Sequence, residues 1–380
     1  MSKYFFLGIL MVFIYSCKGN KEQNQKLSSP ILSLIDQYEI PHDQIFRGTK
    51  IGGLSGIDYD KENDVFYLIS DDRSIHNTAR FYKAKIHLNN CKIDSLQFLN
   101  VVSIKGRNDE EFSNWKTSPF FSIDPEDIRF NPIGNYFVWC SEGEKLITDD
   151  RKLLQDPAIY VMDSLGKYVS EFTMPQNLKM TSAEKGPRRN SVLEGITFSD
   201  DFQSIYTSIE EPLYEDDEKP SVKRGAYVRI FQFDVKAKKN ITQYTYKLDP
   251  IAHQAIPKEA GKTNGISAIL QAGKNKLFIV ERSYSAGRNS NTIKVFFSDL
   301  NYVTNVKNVS SLRDAKSSFK KIPKRMILNM DDLDIHIDNI EGISYGKTLP
   351  NGNKTLIFVS DNNFSKNQKT QILVFELKYL

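Results

Sequence analysis

The sequence predicts an all-β protein, a β-propeller of four-stranded blades. Three observations carry that prediction: one hairpin pattern recurs five times, the recurrences are evenly spaced, and the 3.6-residue apolar period of helical repeats is absent. The recurring stretches are 52–72, 123–143, 191–211, 262–282 and 338–362. Each carries an isoleucine at one fixed place, Ile57, Ile128, Ile196, Ile266 and Ile343, in steps of 71, 68, 70 and 77 residues. Each then crosses a polar turn, such as Asp60-Lys61-Glu62-Asn63 or Pro350-Asn351-Gly352-Asn353, into a β-rich run. Those runs end on an acid: Asp71, Glu142, Glu210, Glu281 and Asp361.

Two further strand-like runs follow most hairpins. They are Arg80–Leu88 and Ser95–Ile104, then Ala158–Asp163 and Tyr168–Met174, then Tyr227–Val235 and Ile241–Leu248. The fourth repeat offers Thr292–Leu300 and a less regular stretch, and the fifth only Gln371–Lys378. Four strands per repeat, arranged radially, make a propeller of five blades by strand count, with a sixth left open. Glu39–Phe46 is the candidate for the missing strand of the last blade, closing the ring without a free edge.

The N-terminus reads as an address. Lys3 precedes an apolar run from Tyr4 to Tyr15, too short to span a bilayer and of signal-peptide length. Ile14-Tyr15-Ser16-Cys17 resembles a lipobox, which makes Cys17 the lipidation candidate, the alternative being a plain signal peptide with an incidental cysteine. The expected organisation is a signal peptide over 1–17, a polar tether over 18–35 and one propeller domain over 36–380, lipid-anchored in a bacterial cell envelope, at the outer membrane or cell surface. The anchor is the only membrane contact expected, and the protein is read as a monomer. With 51 basic and 47 acidic residues the chain is nearly neutral, which argues against nucleic acid as a partner. Three cysteines exclude a disulfide scaffold and leave a Cys91–Cys140 pair open.

In an antiparallel hairpin the start of the first strand lies beside the end of the second. Glu126 is thereby set beside Glu142, Glu194 beside Glu210 and Glu341 beside Asp361. If these hairpins are innermost, carboxylates converge at one mouth of the central channel. Crowded like charges want a cation among them, and hard oxygen ligands suit Ca²⁺. The metal-ligand candidates are Asp71, Glu126, Glu142, Glu210, Glu281 and Asp361. Arg73 and Arg282, with Asn362, are the candidates for holding an anionic small-molecule ligand or substrate, and Arg188 or Arg189 could add to them. Glu194, Glu341 and His76, which follows the Asp71-Asp72-Arg73 run, are the catalytic candidates. The competing reading of any one acid is structural, capping the backbone of the next blade. The acidic run Glu215 to Glu218 reads as a solvated loop. Gly342-Ile343-Ser344-Tyr345-Gly346 matches G-x-S-x-G, but a strand follows it and no histidine does, so it is not a nucleophile elbow.

Gly53-Leu54-Ser55-Gly56, Asp124-Pro125-Glu126-Asp127-Ile128, Leu193-Glu194-Gly195-Ile196, Val280-Glu281-Arg282, Asn339-Ile340-Glu341-Gly342-Ile343 and, above all, Val359-Ser360-Asp361-Asn362-Asn363-Phe364 carry a family resemblance. The chain resembles the phytase-like family, the bacterial esterase-like-activity-of-phytase proteins, over 45–380. The resemblance implies a propeller-like fold, an extracytoplasmic location and, loosely, a hydrolase. The leading expectation is a Ca²⁺-dependent hydrolase of phosphate esters. The alternatives are a non-catalytic ligand- or partner-binding propeller and a carboxylic esterase or lactonase.

Overall fold

The computed structural model describes residues 30–379 apart from 90, 316 and 317. Cys17, the signal-peptide reading and most of the tether lie outside the described residues. Five four-stranded antiparallel sheets form a five-bladed propeller, and no α-helix occurs among the described residues. Blade 1 runs Leu54–Asp60, Val65–Ser70, Arg80–Asn89, Lys92–Ser103, and blade 2 Pro125–Asn131, Tyr136–Ser141, Ala158–Met162, Tyr168–Glu171. Blade 3 is Leu193–Phe198, Ser204–Ile209, Tyr227–Asp234, Lys239–Lys247; blade 4 is Lys262–Gly273, Lys276–Ser285, Thr292–Asp299, Lys324–Asn329.

Blade 5 takes Asn339–Tyr345, Lys354–Asp361 and Thr370–Tyr379 from the C-terminus and its outermost strand, Pro30–Ile40, from the N-terminus. The closing strand therefore lies earlier than Glu39–Phe46, and residues 30–35, read as tether, belong to the ring. Leu32 and Ile40 bury their side chains while Ile31 and Tyr38 do not, an alternation that the flanking polar residues obscure. Cys91 and Cys140 are free thiols, the latter buried in the core.

The first strand of each blade lines the axis. Their apolar faces pack blade against blade, and the channel between them is plugged by one side chain. Arg129 is almost fully buried, and its guanidinium donates to the carbonyls of Ile57, Ile128, Ile196, Ile269 and Ile343, one from each inner strand. Three of these contacts measure 2.6, 3.2 and 3.1 Å, to Ile196, Ile269 and Ile343. A guanidinium has five N–H groups, and here each blade takes one. Asp127 balances the charge at 2.9 Å. Glycine lets the inner strands approach this closely. A Cβ on Gly195 would meet the Ile269 amide nitrogen at 2.7 Å, which accounts for glycine before the repeat isoleucine.

Candidate functional site

Above the Arg129 plug, one mouth of the channel opens into a cavity of about 760 Å³. Its chemistry is set by two features repeated on each blade. The first is a β-bulge at the start of the inner strand, between Leu54 and Gly56, Pro125 and Ile128, Leu193 and Gly195, Ile266 and Ala268, and Ile340 and Gly342. A bulge leaves a residue unpaired and re-aims its side chain. The bulged residues are Ser55, Glu126 with Asp127, Glu194, Ser267 and Glu341, and three of their carboxylates, Glu126, Glu194 and Glu341, line the cavity. The second feature is a residue at or near the end of the next strand: Asp71, Glu142 and Glu210 in three blades and Arg282 in blade 4 line the cavity, whereas Asp361 in blade 5 is fully buried and outside its lining.

Blade 4 thus departs from the sequence reading. Glu281 pairs with Ile266 in the ladder and Arg282 with Gly265. Strand alternation sends Glu281 away from the cavity, into a buried network between blades 3 and 4. It accepts from the Tyr246 hydroxyl at 2.7 Å, the Asn264 amide at 2.8 Å and the Asp249 backbone N–H at 2.9 Å, with Lys324 beside it. Glu281 is a structural acid rather than a member of the ring. Arg282 takes its place, bonded to Glu210 at 2.7 Å and to Glu341 and Asn339. Its charge is spent on the ring's own acids instead of being free for a ligand. Burial opposes that charge, but Glu341, Glu210 and Glu194 outweigh burial and hold the guanidinium above its ordinary range.

The opposite half of the ring has no such cation at its centre. Asp71, half-buried, and the buried pair Asp124 and Glu126 bring one carboxylate oxygen each within 4.8 Å of one another. Arg73 borders them, 3.5 Å from Asp124 and 3.0 Å from Glu144, with its guanidinium over the Trp115 ring at 4.8 Å. Glu126 is 6% exposed, and its carboxyl makes no hydrogen bond among the described residues. Burial, then Asp71, Glu194 and Asp124, push its pKa well up. Asp71 and Glu194 are raised likewise, by burial first and by neighbouring acids next. Glu142, which shares a side-chain hydrogen bond with Glu194, is pushed up to about 8 by burial and Asp124, although the Val192 N–H bonded to it works the other way. Asp361, fully buried, accepts from the Asn363 N–H at 2.8 Å, and burial and Glu341 raise it.

These shifts fix a pH dependence. A carboxyl whose folded pKa lies above its unfolded value stabilises the fold while protonated. That contribution is complete below the unfolded value, near 4.5 for Glu142, and is lost as pH rises through about 8. Chelated protein is expected to melt at a lower temperature at pH 8.5 than at pH 5. A melting temperature that stayed level or rose across that interval would contradict the raised carboxyls.

Other candidates fall elsewhere. His76 is exposed and stacks on Phe364, ring centroids 4.2 Å apart, away from the cavity lining. Asn362 is 1% exposed; its Oδ1 accepts the Gly53 and Phe364 N–H groups at 3.0 Å, so it clamps blade 5 to blade 1 rather than facing a ligand. Gly53, at φ +62°, has the Phe364 ring where a Cβ would stand. Arg188 donates to the carbonyls of Pro212 and Asp217, and Arg189 pairs with Glu144. The run 215–218 is not a solvated loop, because Asp216 is buried in a two-pronged pair with Arg229, both contacts 2.7 Å. Ser344 lies in the inner strand of blade 5, with no elbow. Asp124, Glu144 and Asp338 were missed as site residues. Asp124 stands two before Glu126 in the motif already singled out, but it has no counterpart in the other repeats.

Fold and site together define a five-bladed propeller with a blind, carboxylate-lined cavity at one mouth. The chain belongs to the phytase-like family, described as esterase-like activity of phytase, which it matches over residues 49–364. No curated protein matches it in sequence. Among solved structures it is similar to an α-L-arabinofuranosidase from Lactobacillus brevis, at 9% identity, covering 89% of this chain and 92% of that one, TM-score 0.45. A putative 6-phosphogluconolactonase from Bacteroides uniformis is similar at 13% identity, covering 82% and 79%, TM-score 0.33.

Proposed function

We propose that the protein is a divalent-cation-dependent hydrolase of phosphate esters, anchored in the cell envelope through Cys17 and acting as a monomer. The observation that carries the reading is the Asp71–Asp124–Glu126 cluster, three cavity-lining acids that bring one carboxylate oxygen each within 4.8 Å of one another. The residues fit a hard cation: all ligands offered are carboxylate oxygens, Glu142 lines the same cavity, and the opening admits water to complete a shell of six to eight, which suits Ca²⁺. When bound, such an ion supplies positive charge for a phosphate group and polarises water near it.

The chain's own residues supply the rest. Arg73 reaches the cavity beside the cluster and orients a phosphate oxygen. Glu142 and Glu194 both line the cavity and both have pKa values raised by burial and neighbouring acids, which suits either for giving a proton to a leaving alkoxide. Arg282 holds Glu210 and Glu341 in place and is a positioning residue. Arg129 closes the channel below, so ligand enters and leaves by one mouth.

Phosphate release from phytate tests this. Protein beginning at Lys18 and stripped with chelator is expected to release no phosphate, and Ca²⁺ to restore release. Absence of release in both states would overturn the phosphoesterase reading and favour a ligand-binding propeller.

A further inference from the structure

On the blade 4–blade 5 side of the same cavity, three residues that the metal reading does not use form a relay. Ser290 Oγ lies 3.0 Å from His336 Nδ1, and His336 Nε2 lies 3.4 Å from Asp338 Oδ2. Ser290 sits in the loop after the second strand of blade 4, and the other two lie just before the inner strand of blade 5. Ser290 and Asp338 both line the cavity. We propose that Ser290 is a nucleophile for small carboxylic esters, with His336 as its general base and Asp338 as the group that orients the imidazole.

The order of the protons follows from the acid. Asp338 is 6% exposed, and its two oxygens accept the Asn339 N–H at 2.9 Å and the Lys369 N–H at 2.8 Å, which mark it as an acceptor. Facing it, His336 Nε2 carries the hydrogen, which leaves the Nδ1 lone pair to accept from the Ser290 hydroxyl. Three contacts hold the parts in register. Gln371, itself buried, accepts the Asp338 N–H on Oε1 at 2.9 Å and donates from Nε2 to the His336 carbonyl at 2.9 Å. The Asn291 N–H donates to the Ile337 carbonyl at 3.2 Å, tying the serine loop to the histidine segment. Base and acid are thus clamped by one side chain, and nucleophile to base by one backbone bond. Such a constellation is recognised by geometry and roles, not by chain order or motif.

In the reaction, Ser290 Oγ adds to the ester carbonyl while its proton passes to His336 Nδ1. The oxyanion forms beside Arg288, an exposed cation lining the same cavity. Collapse breaks the carbon–oxygen bond to the alcohol, which leaves with the proton from Nδ1. Water then adds to the acyl group as Nδ1 takes its proton, and returning that proton to Ser290 frees the carboxylic acid. Ester and water are consumed, acid and alcohol are released, and no metal takes part.

The test is covalent labelling with a biotinylated fluorophosphonate, in chelator, followed by mass spectrometry of the peptide containing Ser290. Fluoride is displaced from phosphorus by Oγ, and the proton goes to His336. The expected result is an adduct on Ser290, absent in Ser290→Ala and formed about 100-fold more slowly in His336→Ala, with p-nitrophenyl acetate hydrolysis falling in parallel. No adduct on Ser290 of the unaltered protein, or one that forms equally fast in His336→Ala, overturns the proposal. The unaltered protein carries the first readout, so a misfolded variant cannot hide failure. Labelling in chelator also separates this proposal from the metal-dependent reading.

Discussion

Arg129→Met is expected to cost the fold about 3–5 kcal/mol, the range for removing one partner of a buried ion pair. The replacement has similar length and no donors. It strands five carbonyls, one on each inner strand, at the point where the strands are too close for water to replace the guanidinium. It also strands Asp127, which is fully buried; burial already lifts that carboxyl to about 7, against the pull of Arg129. Without the arginine, Asp127 would take up a proton at neutral pH while keeping its bonds from the Ile128 and Ile196 N–H groups, at 2.8 and 3.0 Å. Since domains are typically stable by about 5–15 kcal/mol, the loss should lower the melting temperature by on the order of 10 °C or prevent folding. Arg129→Lys keeps the charge but offers three donors where five acceptors wait, so it should fall between. Urea melts of both variants measure the effect. A change under about 1 kcal/mol for Arg129→Met would mean that packing between blades, not the axial guanidinium, closes the ring.

The same side chain explains why the cavity is one-sided. A propeller axis is a pore unless something fills it, and here a single charged group does so. Its carbonyl partners cost no side chains, which leaves the bulged positions above it free to present carboxylates. Stability and site are built from one strand, Glu126 and Arg129 being three residues apart.

How much of this was legible follows from which interactions are local. The hairpins, their evenly spaced isoleucines and most strand limits could be read because alternation and turn chemistry are written within about twenty residues. Blade 4 could not. Gly265-Ile266 imitates Gly56-Ile57, Gly195-Ile196 and Gly342-Ile343, but the inner strand is longer there, Lys262–Gly273, and it is Ile269 whose carbonyl faces Arg129. Placing the bulge between Ile266 and Ala268 moves the ring position from Glu281 to Arg282, and a one-residue slip sends a side chain to the opposite face. Asp216 looked solvated because its partners are not marked by any motif: Arg229 lies in the next strand of the blade and the Leu312 N–H comes from a segment 96 residues away. The Ser290–His336 contact spans 46 residues with no motif between them.

Glu126→Gln should separate the two meanings a buried acid can have. If Glu126 were scaffold, its loss would weaken the protein. It has no donor to lose, and it faces Asp71, Asp124 and Glu194, all acids whose proximity raises its pKa. The amide removes that repulsion and brings two N–H donors to the neighbouring carboxylates. Chelated Glu126→Gln is therefore expected to be more stable than the unaltered protein, by about 1–3 kcal/mol at pH 8, with the gain shrinking toward pH 4 as the acids become protonated. Ca²⁺ should favour the unaltered protein instead. It should raise the melting temperature of the unaltered protein, by about 2.7 kcal/mol of stability at a hundredfold excess over the dissociation constant, and barely affect the variant. Phosphate release should fall with the lost ion. A function–stability trade-off of this kind marks a binding site, because in the ionised protein the strain of assembling like charges is relieved by the ligand. Calorimetric titration with Ca²⁺ and paired melts decide the matter: a destabilised variant that still binds Ca²⁺ as tightly would make Glu126 structural and move the cation site away from the Asp71 side of the ring.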